Sequence, residues 1–386
     1  MLGINLYFDY RDIFKAPRLA GGKNIWIFLT GNLVGYVIYW TLTIFSFILI
    51  DGISLSDIIK NSGLYPCLFG HTAPIISWII YWLGILIWIF CIFLSGTAVS
   101  QVTLNRLKGN DFFSSQDAWD YSKKNWHPVI FSPFAILIII ATFILFAMIF
   151  AFICKIPVLG SFLYVLPYPI YIFGSIFTIY SFIVFIISMV YVPSIVGIYE
   201  EDTMGTVFQS YAITISQPWR IILYNFILIP LSYLAITFLS WVFHASIGLM
   251  NLIFGFVVGK PFENIFSFAS SIVFPDKIVN YINSRLSLLD LTYLIPDINI
   301  SYSYLSVIDR LAGIILSLSL FLICLSVLSY GLSVLSVGHS LAFIIFKKIS
   351  DDDNVLERKT EKELDIDKIL SGDDQEDKLN AFSEEE

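Results

Sequence analysis

Cys67, His71, Cys154 and His244 are four side chains of metal-binding types that all fall on the predicted outer side of the membrane. A catalytic zinc needs three protein ligands converging on one point, and nothing in these spacings brings three together. A disulfide between Cys67 and Cys154 is the better reading of those two thiols if their side of the membrane is oxidising. Cys91 and Cys324 fall inside apolar runs, where cysteine acts as a small apolar residue. His244 stands alone toward one end of an apolar run, where a satisfied or interfacial histidine is the simpler reading. No nucleophile elbow, Walker loop, HExxH or Rossmann glycine pattern occurs. Intramembrane Asp, Glu, Lys and Arg mark proton relays and ion pathways, and none lies well inside an apolar run. The chain is therefore expected to be non-enzymatic, with no catalytic, cofactor-binding or metal-ligating residue and no cofactor.

One chemical pattern does stand out. Ser319, Ser326, Ser329, Ser333, Ser336 and Ser340 recur at heptad-like spacing in the last apolar run. A helix would carry them on one face, where small residues let helices approach and hydroxyls bond across, at about 0.6 kcal/mol each. A 3.5-residue spacing suits a left-handed helix pair. The competing reading is a polar lining for a solute path.

These residues sit in a chain built for lipid. Hydrophobic residues make up 57% and charged ones only 13%, against about 25% charged in soluble domains. Uncharged runs cover 24–50, 61–105, 125–154, 156–199, 221–259 and 311–346, and about 20 residues of helix cross a bilayer. The expected fold is all-α: a polytopic integral membrane protein with about six transmembrane helices and amphipathic interfacial helices. Spans are placed at about 24–50, 73–98, 128–154, 168–194, 219–246 and 311–335 within a membrane domain of 24–349, span 6 continuing as helix to Lys347-Lys348. The 39 residues from Ile221 to Gly259 exceed one ordinary span, so Gly248, Gly255 and Gly259 are expected to bend the last third back or along the interface. Segment 260–308 reads as amphipathic helix on the outer surface.

Residues 1–23 read as an amphipathic cytoplasmic segment in the headgroup region, ended by Pro17 and Gly21-Gly22. Residues 350–386 hold fifteen acidic and five basic side chains, which leaves the remaining chain slightly basic although the net charge is −8. That composition predicts a disordered, acidic cytoplasmic tail. Orientation follows from Lys and Arg near span ends. With the N-terminus inside, Arg11, Lys15, Arg18, Lys23, Arg106, Lys108, Lys123, Lys124, Arg220, Lys347 and Lys348 lie inside; Lys60, Lys155, Lys260, Lys277, Arg285 and Arg310 lie outside. The expectation is a multi-pass cell (inner, cytoplasmic) membrane protein with both termini cytoplasmic.

The polar interval Ser100–Pro133 organises this scheme, and Glu200–Phe226 echoes it ninety residues later, Tyr121 matching Tyr211 and Pro128 matching Pro218. In each copy an amphipathic helix precedes a Pro that opens the next span. In the first, Trp119 and Trp126 are expected on one lipid-facing side, with Asp117, Asp120 and Lys124 toward water. Val207–Phe226, VFQSYAITISQPWRIILYNF, resembles the recurring element of a loose group of bacterial six-helix membrane proteins. That group includes multi-pass families without assigned function and the membrane domain attached to some glycerophosphodiester phosphodiesterases. Phe208, Ser210, Trp219 and Arg220 occupy the motif's places, while the first copy offers Ala118, Trp119 and Trp126 without the Trp-Arg pair. The resemblance implies a six-helix membrane fold; with no phosphodiesterase domain in these residues it implies no activity.

The function expected is a structural, scaffold or accessory membrane module that packs with itself or a membrane partner. The alternative is a transporter or channel for a neutral or lipidic solute. Partners expected are membrane lipids, a further copy of the chain, and a membrane or cytoplasmic protein reached by the acidic tail; nucleic acid is not expected.

Overall fold

The computed structural model describes residues 6–50, 63–70, 72–156, 159–275 and 305–357. Every regular element among them is helical. After a 3-10 turn at Tyr10–Lys15 come α1 (Ala16–Leu19), α2 (Lys23–Ile48), α3 (Ile75–Leu107), α4 (Ser115–Lys124), α5 (Trp126–Ile153), α6 (Leu159–Val165), α7 (Tyr168–Tyr199), α8 (Thr203–Ser216), α9 (Pro218–Val258), α10 (Lys260–Val273) and α11 (Val307–Ser350). Six of these, α2, α3, α5, α7, α9 and α11, are long and apolar enough to cross a membrane. The chain is a polytopic all-α membrane protein.

The six form three successive hairpins, α2–α3, α5–α7 and α9–α11. Helix α11 is the hub: it packs against α2, α3, α7 and α9, and also against α10 and the N-terminal turn. One end of the bundle, here the terminal end, gathers the start of α2, the ends of α3, α7 and α11, and the starts of α5 and α9. Lys23 Nζ reaches Asp111 O (2.7 Å), Ser132 Oγ reaches Thr203 O (3.2 Å), Gln217 Nε2 reaches Ser350 Oγ (3.4 Å), and Tyr199 OH reaches Asp353 Oδ2 (2.5 Å). The main apolar core lies at this end, from Ile13 and Leu19 through Val99, Tyr191 and Leu228 to Phe343 and Phe346. At the far end Tyr36 OH donates to Leu64 O (2.6 Å) and Tyr39 OH to Pro66 O (2.5 Å), so residues 63–70 cap α2 and α3.

Lipid gives apolar side chains no drive to leave it, so helix contact here depends on close approach and interhelical hydrogen bonds. Gly31 and Gly35 of α2 face Ser95, Cys91 and Trp88 of α3 so closely that no Cβ fits. This is the G-x-x-x-G spacing of close-packed membrane helices. Large apolar side chains along the far halves of α5, α7 and α9 stay exposed, among them Phe146, Phe173 and Leu252. They present the surface that a bilayer covers.

Several expectations change. Helix α9 runs unbroken to Val258 with Gly248 and Gly255 inside it; the chain turns only at Gly259, whose φ of 73° needs glycine. Spans 2 and 4 continue as helix past 98 and 194, to Leu107 and Tyr199, because their polar ends are buried against neighbours. In the N-terminal segment Pro17 opens α1 instead of ending a helix, as its missing N–H allows. One side of that segment packs into the bundle, while Tyr7, Tyr10 and Phe14 stay exposed. Ile13, Ala16 and Ala20 are fully buried, and Asp12, equally buried, is paired with Lys15 Nζ at 2.6 Å and accepts the Phe8 N–H at 2.7 Å. At the tail's root Val355 is buried in the main core. Of the predicted outer amphipathic segment, α10 is described and packs on α11; residues 276–304 and 358–386 lie outside the described residues.

Candidate functional site

Helices α3, α7 and α11 cross at the terminal end with small residues between them. Gly197 of α7 is so close to α3 that a Cβ would stand 2.7 Å from Thr97 O, and Gly96 of α3 abuts Pro193. In the gap Ser340 Oγ lies 2.9 Å from Ser100 Oγ and 3.4 Å from Ser194 Oγ, and Ser336 Oγ donates to Gly96 O at 3.2 Å. Along the same face of α11, Ser333 Oγ donates to Ala20 O (2.8 Å) and Ser329 Oγ accepts from Asn32 Nδ2 (3.1 Å). The predicted serine face thus binds four neighbours: α2, the N-terminal segment, α3 and α7. Ser326 turns to its own helix, at Ile323 O (2.7 Å), and Ser319 is exposed, so the face ends near the bundle's middle.

Beside the serines lies a second network. His339 Nε2 is 3.0 Å from Asn225 Oδ1, Asn225 Nδ2 donates to Tyr191 OH at 3.2 Å, and the Tyr191 and His339 rings meet edge to face at 5.2 Å. Sequence reasoning carried this helix to Lys347-Lys348 and named Ser336 and Ser340 on it but did not weigh His339, whose partner Asn225 lies on another helix. A nucleophile needs its base within hydrogen-bond reach, and His339 is engaged with Asn225, not with a seam serine. The arrangement joins α7, α9 and α11 and has the form of a structural lock.

Toward the rim the network becomes ionic. Gln101 Nε2 donates to Glu200 Oε1 (3.1 Å), Lys347 pairs with Asp351 (2.6 Å) beneath the Tyr199 ring, and Lys348 pairs with Asp352 (2.8 Å). The Lys348 hydrogen bond and charge hold the exposed Asp352 carboxyl below its ordinary range.

Voids adjoin these helices. A polar pocket of about 350 Å³ opens at the terminal end between the start of α2 and the end of α3; it is lined by Lys23, Asn24, Arg106 and Asp111 among others. One turn deeper, an apolar groove of about 570 Å³ runs between α2, α3 and α4, past Ile27, Gly31, Val34, Leu94 and Trp119. Between α9 and α11 a void of only about 20 Å³ touches Ser240, His244 and Cys324, room for about one water.

The metal-capable side chains do not meet. Cys67 lies 3.7 Å from Tyr81 OH in the far-end cap, Cys154 ends α5, and His244 borders the small void; His71 lies outside the described residues. The Cys67–Cys154 disulfide is not formed, both residues being thiols. Trp119 and Trp126 do not share a helix face either. Asn125 breaks the helix, α4 ends at Lys124, and Trp126 opens α5 with its ring on His127 at 3.9 Å. What α4 buries is Ala118 and Ser122, whose Oγ donates to Leu94 O of α3 (2.7 Å). Compared with family models, curated proteins and solved structures, the chain matches none.

Proposed function

We propose that this multi-pass protein is a non-enzymatic scaffold or accessory module of the cell membrane, packing with itself or a membrane partner, with its terminal end cytoplasmic. One observation carries the reading: the hydroxyls of Ser329, Ser333, Ser336 and Ser340 on α11 are each spent on a bond to a neighbouring helix or the N-terminal segment. A pore lining needs its hydroxyls free for water or solute. The exposed apolar faces of α5, α7 and α9 supply surface for a second chain. The likeness of Val207–Phe226 to the six-helix group accords with this reading and adds no activity.

A lipidic cargo is the second reading, favoured by the groove of about 570 Å³ open beside α4. Reconstitution separates the two. Proteoliposomes are expected to show no acceleration of lipid flip-flop or glycerol entry, while subunit counting in the same membranes finds more than one copy per particle or a bound membrane partner. Protein-dependent flip-flop or glycerol entry in single-copy particles would overturn the scaffold reading.

A further inference from the structure

The polar pocket at the terminal end has a floor and a rim of different chemistry. At the floor Asn24 is almost wholly buried; its Nδ2 donates to Leu19 O at 2.9 Å, and its Oδ1 is closed off from the pocket space. At the rim stand two cations. Lys23 spends two bonds on Asp111 O and Phe113 O (2.7 and 3.0 Å), and Arg106 spends one on Leu19 O (3.2 Å), so both keep N–H groups to give. Helix α2 begins here at Gly22, which has no side chain to cap it, so the positive end of a 26-residue helix also faces the site. The remaining charged group of the lining is the exposed Asp111 carboxylate.

We propose that this pocket holds the headgroup of a phospholipid that joins a phosphate to a primary ammonium, with the phosphate against Lys23, Arg106 and the α2 start and the ammonium against Asp111. The charge pattern decides the class. A bare phosphate satisfies the cations but leaves Asp111 facing an anion, and a quaternary ammonium has no N–H for the Asp111 carboxylate. The apolar groove decides the source. It continues on the same face of α2, Ile27, Gly31 and Val34 following Lys23 at helical spacing, and so offers an acyl chain a bed one turn deeper. This assignment stands or falls independently of the scaffold reading.

Native mass spectrometry of the full, delipidated chain tests it, with phosphatidylethanolamine, phosphatidylglycerol, phosphatidylcholine and inorganic phosphate as titrants. Phosphatidylethanolamine is expected to bind about tenfold more tightly than phosphatidylcholine, one lost charge-assisted bond being worth about that factor. Arg106→Gln should weaken every phospholipid. Asp111→Asn, at an exposed side chain, should erase the preference for ethanolamine over glycerol while leaving phosphatidylglycerol bound. Val34→Trp, exposed in the groove, should weaken all long-chain lipids. Equal affinity for ethanolamine and choline lipids in the unaltered protein overturns the proposal, as does displacement of bound lipid by inorganic phosphate. Should Arg106→Gln fail to fold, the Asp111→Asn selectivity decides, and an unchanged preference there overturns the ammonium assignment.

Discussion

Gly197 has space for a hydrogen and nothing larger. A Cβ there would meet Ser100 Cβ at 2.6 Å and Thr97 O at 2.7 Å, and the second neighbour is backbone that cannot rotate away. Gly174, in the same helix, has nothing within 4 Å of its Cβ position. Gly197→Ala is therefore expected to cost about 1–3 kcal/mol by forcing α3 and α7 apart, while Gly174→Ala stays neutral or gains slightly from helix propensity. Thermal unfolding in detergent measures both, and equal midpoints would remove the close crossing. The serine face makes a parallel case. Ser329 and Ser333 are fully buried and bonded to Asn32 and Ala20, so Ser329→Leu with Ser333→Leu both overfills the seam and strands the Asn32 amide. A loss of several kcal/mol is expected, about 1–3 for each overpacked site. Ser319→Leu, on the exposed side, should leave the midpoint unchanged. Stability untouched by the double change, with solute uptake altered, would favour a transport role for these hydroxyls.

At the scale of the element, α4 shows how an interfacial helix becomes part of a bundle. The Ser114–Asp117 capping box fixes its start, satisfying two amides that would otherwise be orphaned. Asp117, Asp120, Lys123 and Lys124 stay exposed, while Ala118 and Ser122 close onto α3 and Trp119 Nε1 donates to Thr30 Oγ1 of α2 (3.2 Å). Single-tryptophan variants retaining Trp119 or Trp126 are expected to be quenched by brominated lipid, Trp119 from the groove and Trp126 from the start of α5. Water-like emission from Trp119, unquenched, would detach α4 from the membrane. The charges of this helix and its existence were legible in the sequence, because capping and amphipathicity are local. Its buried face was not: a strip of Ala and Ser is ordinary until the partner backbone at Leu94 is known. The same limit explains the others. Six spans follow from apolar length alone, and the serine spacing points to a packed face. By contrast, the pairing of Asn225 with His339 across 114 positions, and of Asn24 with the N-terminal segment, belongs to tertiary structure. Of the polar pocket, Lys23 and Arg106 were noticed as orientation signals only; the α2 start and the approach of Asp111 that make it a site depend on the fold.

The molecule as a whole is asymmetric along its axis, and that asymmetry bears on its orientation. Arg11, Lys15, Arg18, Lys23, Arg106, Lys108, Lys123, Lys124, Arg220, Lys347 and Lys348 all belong to elements that start or finish at the terminal end. Among the described residues the far end offers Lys155, Lys260 and Arg310. Basic residues close to span ends are retained on the cytoplasmic side, so the terminal end is the one expected inside, in contact with anionic lipid that attracts each Lys or Arg by about 1 kcal/mol. The packing gradient runs the same way: the main core and the ionic rim sit where the cations are, and the far halves of α5, α7 and α9 hold mostly apolar surface. Cysteine labelling gives an internal comparison. Cys67 is exposed in the far-end cap, and Asn110 is exposed in the connection between α3 and α4. In a background lacking the other cysteines, an impermeant maleimide added to intact cells is expected to modify Cys67. It should leave Asn110→Cys untouched until the membrane is opened. Modification of Asn110→Cys from outside, with Cys67 protected, would invert the molecule in the bilayer and place the lipid pocket on the opposite leaflet.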